Sequence, residues 1–138
     1  MENNWTSPTN ALEIRSDPAG DGRFHAPRGD RLHNGLDLLC TPKQPILCPI
    51  ACHFVRISNP YASDNRWHGV LLQIGHTEIF LWYLRPYYFR TWEELAEGEV
   101  LGMAQDISLK YGGGMLPHIH IGVKESGTWI DPMERLIA

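Results

Sequence analysis

Two short segments far apart in the chain, His33-Asn34-Gly35-Leu36-Asp37 and Pro117-His118-Ile119-His120-Ile121, carry side chains of the kind that hold a metal ion. The second is the sharper constraint. Side chains alternate across a β-strand, so His118 and His120 point to one face while Ile119 and Ile121 point to the other. In the first segment a spacing of four brings His33 and Asp37 to one side, whether that piece is extended or helical. Two imidazoles and a carboxylate can hold Zn²⁺ and leave one coordination position open, as catalytic zinc requires. The remaining histidine would then stand beside the metal, free for acid–base work or for orienting a substrate.

With seven histidines in 138 residues, some close pairs are expected by chance, so the context matters. A glycine-rich loop, Tyr111-Gly112-Gly113-Gly114, leads into the histidine strand, and Pro27-Arg28-Gly29 leads into the first segment. Loops of this composition beside rigid strands are where sites are usually carried.

The remaining pattern is mainly β. Residues 45–57 are apolar and broken by Pro49, which predicts an edge or a sharp bend. Residues 69–75 and 77–84 read as two strands joined at Gly75-His76. Residues 118–124 form the alternating strand, and Gly127-Thr128 separates it from Trp129-Ile130. Thr91 to Ala96 reads as a single helical turn capped by Thr91, with Glu93 and Glu94 near its start. Short strands separated by turns predict a sandwich or rolled sheet. Residues 1–12 are expected as a loose arm and 13–138 as one domain. The polar loop 59–68 and the segment 103–117 are expected to wall a groove that decides substrate or partner.

A hydrophobic content of 43% and a charged content of 20% are ordinary for a globular domain. The formal net charge of −4 argues against nucleic-acid binding, which wants a basic face. No apolar run reaches the length of a membrane span. The opening Met1-Glu2-Asn3-Asn4-Trp5 lacks the basic start and apolar centre of a secretory signal. A chain of this kind is expected to be made in a cytoplasm and, if it acts on a cell wall, to be delivered in a virion or by lysis. Cys40, Cys48 and Cys52 have no CxxC spacing and read as reduced, small buried hydrophobes.

The order of these features resembles the LytM/lysostaphin-type zinc endopeptidases, which cut peptide cross-links in bacterial cell walls. Phe24…Pro27-Arg28…His33-x-Gly35-x-Asp37 resembles that family's first metal motif, and His118-Ile119-His120 its second. Pro45-Ile46-Leu47-Cys48-Pro49, Glu97-Gly98-Glu99-Val100-Leu101-Gly102 and Trp129-Ile130-Asp131-Pro132 resemble its other landmarks. The resemblance implies a folded antiparallel β-sheet or sandwich, the duplicated hybrid motif, with a zinc groove on one face. It implies His33, Asp37 and His120 as zinc ligands and His118 as a catalytic histidine that does not bind the metal.

One position departs from the pattern. The family's second catalytic histidine falls in Leu81-Trp82-Tyr83-Leu84, where this chain has Tyr83. The subgroup that resembles the leukocyte-derived chemotaxin has a tyrosine there too, followed by a stretch similar to Leu84-Arg85-Pro86, and it shares a stretch similar to Glu13-Ile14-Arg15. A phenol can donate a hydrogen bond to an oxyanion, but with a usual pKa of about 10 it is a poor base near neutrality. The alternative for Tyr83 is a buried strand aromatic with its hydroxyl satisfied.

The resemblance therefore implies a zinc-dependent endopeptidase acting on peptidoglycan, with His118 and Tyr83 as its catalytic pair. The alternative is a catalytically impaired zinc-binding module for recognition or structure, for example in a phage tail or virion assembly. The expected partner is a peptidoglycan peptide or a protein in the groove. His25, His53, His68 and His76 are read as non-ligands. Trp67, Trp82, Trp92 and Trp129 are read as core or rim packing. Arg28, Arg31 and Asn34 are read as candidates to hold a substrate carboxylate or to support the ligands.

Overall fold

Strand His118–Glu125 is hydrogen-bonded along both edges in the computed structural model, which describes residues 4–138. Thr77–Trp82 lies antiparallel on one edge, with Leu81 opposite Ile121 and Ile79 opposite Val123. Leu36–Leu39 takes part of the other edge, with Leu38 opposite Ile119 and Asp37 opposite His120. Thr128–Ile130 takes the rest of it, pairing Ile130 with Val123. Beyond Thr77–Trp82 come Gly69–Ile74, Cys52–Ile57 and Glu94–Leu95, all antiparallel, to complete seven strands.

This register explains the core. Residues directly opposite each other share a face, so Leu72, Ile79 and Val123 form one row and Val70, Leu81, Ile121 and Leu36 form another. These side chains and Ile119 and Leu38 are at most 1% exposed. A second, three-stranded antiparallel sheet of Leu84–Pro86, Val100–Ala104 and Pro45–Leu47 adds Ile46, Leu84, Leu101 and Ala104 to the same cluster. The face opposite this core carries His118, His120 and Asp37. The mainly β architecture read from the sequence is the one observed.

Particular expectations hold as well. The chain leaves the small sheet after Leu47, bends across residues 48–51 and enters the main sheet at Cys52, so the break at Pro49 marks a change of sheet. The two strands joined at Gly75-His76 form a hairpin, with Gly75 at φ 57° where a side chain is disfavoured. The thiols of Cys40, Cys48 and Cys52 are free; Cys48 and Cys52 are buried with their sulfurs 3.5 Å apart. Burial pushes the Cys40 thiol up to about 12.

Two local readings are corrected. Thr91 to Ala96 is not a helical turn: Thr91 and Trp92 form a turn, and Glu94–Leu95 pairs as an edge strand with Cys52 and His53. Trp92 sits at φ 65°, which stops a right-handed helix from starting there. The arm expected over residues 1–12 is not loose from residue 4 onward, and residues 1–3 lie outside the described residues. Trp5–Thr6 pairs in parallel with Leu136–Ile137, and the Thr6 amide donates to the Pro49 carbonyl. Trp5, Ser7 and Thr9 are buried, and the Gln44 side chain donates to the Thr9 carbonyl. No helix among the described residues is long and apolar enough to cross a membrane.

Trp5 is 4% exposed and part of the main core, so Trp5→Ala should lower stability by about 3–5 kcal/mol in urea unfolding. A variant as stable as the parent would return this segment to the status of an arm.

Candidate metal centre

The site follows from the register of two strands. Pairing Leu36–Leu39 with His118–Glu125 sets Asp37 directly opposite His120, on the face away from Ile119 and Ile121. His33 arrives by way of the hairpin Pro27–Arg28/Arg31–Leu32. The His33 amide donates to the Ala26 carbonyl and the His25 amide to the His33 carbonyl, which continues that hairpin. His33 Nδ1 lies 3.0 Å from the Arg23 carbonyl and donates to it, so its Nε2 carries the lone pair.

Three atoms then converge. His33 Nε2 and His120 Nδ1 are 3.2 Å apart, His33 Nε2 and Asp37 Oδ1 3.3 Å, and His120 Nδ1 and Asp37 Oδ1 3.2 Å. Ligand atoms about 2.0–2.1 Å from a tetrahedral Zn²⁺ stand roughly 3.3 Å apart, so this near-equilateral triangle fits one face of such a site. The three residues are all buried, and they are the His/Cys/Asp/Glu group among the described residues with metal-binding spacing.

The surroundings hold the triangle in shape. Trp82, opposite His120 on the neighbouring strand, stacks on its ring at 4.8 Å and 18°. Gly35 closes the other side: a Cβ there would stand 2.6 Å from the His120 ring and 2.4 Å from the Ile121 carbonyl oxygen. On the far side of the carboxylate, Arg15 Nε donates to Asp37 Oδ2 at 3.2 Å, and an Arg28 nitrogen lies 3.6 Å from the same oxygen. Arg15 also donates to Asp17 Oδ1 at 2.8 Å, while Asp17 Oδ2 accepts from the Leu116 amide. Arg15 thereby ties the carboxylate to the loop that precedes the histidine strand.

That loop orients His118. Its Nδ1 is 2.8 Å from the Leu116 carbonyl and donates to it, which leaves the Nε2 lone pair facing the site, 3.7 Å from Asp37 Oδ2. Burial lowers the pKa of His118 and of His120, because an imidazolium is disfavoured away from water. Burial opposes ionisation of Asp37, yet its contacts with His120 and His33 outweigh that and hold its carboxyl well below the usual range.

Tyr83 lies on the other wall. Its ring meets His118 edge-on at 5.5 Å, and its hydroxyl is 2.9 Å from that of Tyr61. Tyr111 in turn donates to the Tyr61 hydroxyl at 2.5 Å, and Lys110 binds Asp64 at 2.9 Å. These contacts draw the loop 59–68 against the segment 103–117, the two pieces expected to wall the groove. Burial raises the Tyr83 pKa further from neutrality.

The structure thus brings His33, Asp37, His118, His120 and Tyr83 together. Arg28 reaches the carboxylate, whereas Arg31 and Asn34 are exposed and make no hydrogen bond to it. His25 is exposed and stacks on Phe24, His53 lies 3.9 Å from Glu94, His68 pairs with Asn59, and His76 sits in the hairpin turn. Sequence reasoning assigned no role to Arg15, Asp17, Tyr61 or Tyr111. Arg15 was visible only as part of a family-like stretch, and nothing in the spacing of the others marks them.

Two measurements test this geometry. Gly35→Ala pushes into the His120 ring and should weaken zinc binding on the order of 10–100-fold in chelator competition, while Gly75→Ala, with open space around it, should not. The second is acid stability of chelator-treated protein. His118 and His120 both have folded pKa values below their unfolded ones, so the unfolded chain takes up protons first as pH falls. Stability present above about pH 6.5 is lost below it, and the urea midpoint should fall from about pH 7.5 to about pH 5. A rising midpoint would contradict buried neutral imidazoles.

No family model matches the chain. Bovine (Bos taurus) leukocyte cell-derived chemotaxin-2 is 31% identical over 111 residues, spanning 79% of this chain and 72% of that protein. Among solved structures, Csd3 of Helicobacter pylori superposes with a TM-score of 0.73 at 15% identity over 99% of this chain, which corresponds to 34% of Csd3. The antimicrobial peptidase lysostaphin of Staphylococcus simulans gives 0.67 at 16% identity, over 96% of this chain and 54% of its own. A zinc-containing peptidase of Vibrio cholerae gives 0.67 at 17% identity, over 99% of this chain and 41% of its own.

Proposed function

This chain belongs to the LytM/lysostaphin-type metallopeptidase family, in the subgroup of the leukocyte cell-derived chemotaxin, and on that premise we propose that it is a zinc-dependent endopeptidase domain acting on the peptide cross-links of bacterial peptidoglycan. The observation that carries this reading is the 3.2–3.3 Å triangle of His33 Nε2, Asp37 Oδ1 and His120 Nδ1, with His118 Nε2 beside it, 3.7 Å from the other oxygen of Asp37. Those three residues would hold the zinc, which when bound supplies a Lewis acid that makes water nucleophilic near neutral pH.

The rest of the chemistry falls to this chain's own side chains. His118 Nε2, unprotonated because its Nδ1–H is committed to the Leu116 carbonyl, accepts the proton of the attacking water and returns it to the leaving amine. Its lowered pKa keeps it in the basic form at neutral pH. Tyr83 cannot share that work, since burial holds its proton on. It acts as a hydrogen-bond donor to the developing oxyanion, with Tyr61 accepting or donating as the hydroxyls reorient. Arg15 and Arg28 hold the second oxygen of Asp37 and keep its first oxygen on the triangle.

A second reading rests on one observation. The Tyr83 hydroxyl is already engaged by Tyr61, which is also bound by Tyr111. If that chain does not open, the same site is a zinc-supported recognition module that holds a peptide without cutting it.

Release of new amino groups from purified peptidoglycan separates the two. Zinc-loaded protein should release them, a chelated sample should not, and His118→Ala should reduce the rate at least about 100-fold. Tyr83→Phe should reduce it about 10–1000-fold. Protein that contains one zinc yet releases nothing overturns the endopeptidase reading in favour of the recognition module.

A further inference from the structure

A cavity of about 710 Å³ opens behind the wall that carries Tyr83, and none of the metal-centre residues lines it. Its volume lies within the usual range for small-molecule sites, roughly 300–1,000 Å³. Trp67 forms part of its lining and packs with Tyr83 and Ile107 in a small cluster of its own, so this one wall has the metal centre on one side and the cavity on the other.

The lining pairs apolar surface with fixed positive charge. Trp67, Met103 and Leu109 supply the former, with Leu109 80% exposed although it is apolar. Lys43, Arg66, Arg85 and Lys110 supply the latter, against one lining carboxylate, Asp106, which accepts from Ser108. Arg66 and Lys110 are both paired with Asp64. Lys43 and Arg85 have no carboxylate partner among the described residues. Both stand on firm backbone. Lys43 lies in a turn closed by the Gln44 amide on the Thr41 carbonyl, and its own amide donates to Ala104. Arg85 lies opposite Met103 in the small sheet.

A second observation is independent of charge. Among the described residues, the indole N–H of Trp67 is the buried side-chain polar group without a hydrogen-bond partner. That N–H is closed off from solvent, so what Trp67 offers the cavity is the apolar surface of its ring, beside the unpaired cations.

We propose that this cavity binds a small organic anion: a carboxylate, phosphate or sulfonate on an apolar body, its charge between Lys43 and Arg85 and its body against Trp67, Met103 and Leu109. The site is separate from the metal centre and does not depend on peptidase activity.

The probe is 1-anilinonaphthalene-8-sulfonate, with its uncharged parent N-phenyl-1-naphthylamine beside it. Intact protein should bind the sulfonate saturably, one per chain, with equal affinity in zinc-loaded and chelated samples. Lys43→Gln with Arg85→Gln should weaken the sulfonate about tenfold and leave the neutral probe unchanged, while Lys43→Arg with Arg85→Lys should restore it. Both arginine and lysine positions are exposed, so folding is not at stake, and urea midpoints confirm that for each variant. Displacement by decanoate against decyl phosphate identifies the preferred head group. Sulfonate binding that ignores the charge removal, falls equally with the neutral probe, or is abolished by zinc overturns the proposal.

Discussion

The pairing of Asp37 with His120 is the contact on which the rest depends. It is a backbone fact before it is a chemical one: the antiparallel ladder between Leu36–Leu39 and His118–Glu125 sets these two residues opposite each other. Side chains alternate with a period of two, so a slip of one residue would send Asp37 into the core and bring Leu36 or Leu38 to the site. The core prevents that slip. Leu36, Leu38, Ile119 and Ile121 are at most 1% exposed and interlock with Leu81 and Val70, so the packing that stabilises the sheet also fixes the donor geometry.

Placing a carboxylate there has an electrostatic consequence. Asp37 is 4% exposed, and an ionised carboxylate that far from water needs compensation. Arg15, itself 3% exposed, supplies it from one side, and the His120 ring, hydrogen-bonded to Oδ1, from the other. A divalent cation on the triangle would add to that compensation, because it faces the oxygen that Arg15 does not hold. Asp17 then links the cation side chain to the backbone of Leu116, so the same network that neutralises Asp37 positions His118. On the proposed reading, metal support and base orientation are consequences of one chain of contacts.

This also explains what could and could not be read from the sequence. The alternation in His118–Glu125, the hairpin at Gly75-His76 and the break at Pro49 were legible because each is a local pattern with a local cause. Thr91 to Ala96 was misread because a capping threonine and two glutamates fit a helix start, while pairing with Cys52 and His53 is a distant contact that propensity does not record. The segment from residue 4 was misread because its polar residues satisfy backbone carbonyls rather than solvent, and a single tryptophan anchors it. Arg15 joins Asp37 across 22 residues of sequence with no repeating pattern, and the Tyr61–Tyr83 contact joins two loops. Such contacts become visible only when the chain is folded.

Tyr83 shows how far one substitution is embedded. Its backbone is at φ 75°, a left-handed conformation that costs a tyrosine about 1–3 kcal/mol and persists only when the surroundings impose it. They do so here: the Tyr83 amide donates to the His68 carbonyl, and its own carbonyl accepts from the Gln105 amide. The ring is held between His118 on one side and the Trp67 and Ile107 cluster on the other, and the hydroxyl ends on Tyr61. On the proposed endopeptidase reading, a side chain pinned at backbone and ring, whose hydroxyl turns from Tyr61, is suited to stabilising charge that develops beside it rather than to carrying a proton away. The burial that raises its pKa favours that role, because a phenol that keeps its proton remains a donor throughout the working pH range. Restoring histidine at this position would therefore require the tyrosine chain and the wall it braces to rearrange, not only a change of one side chain.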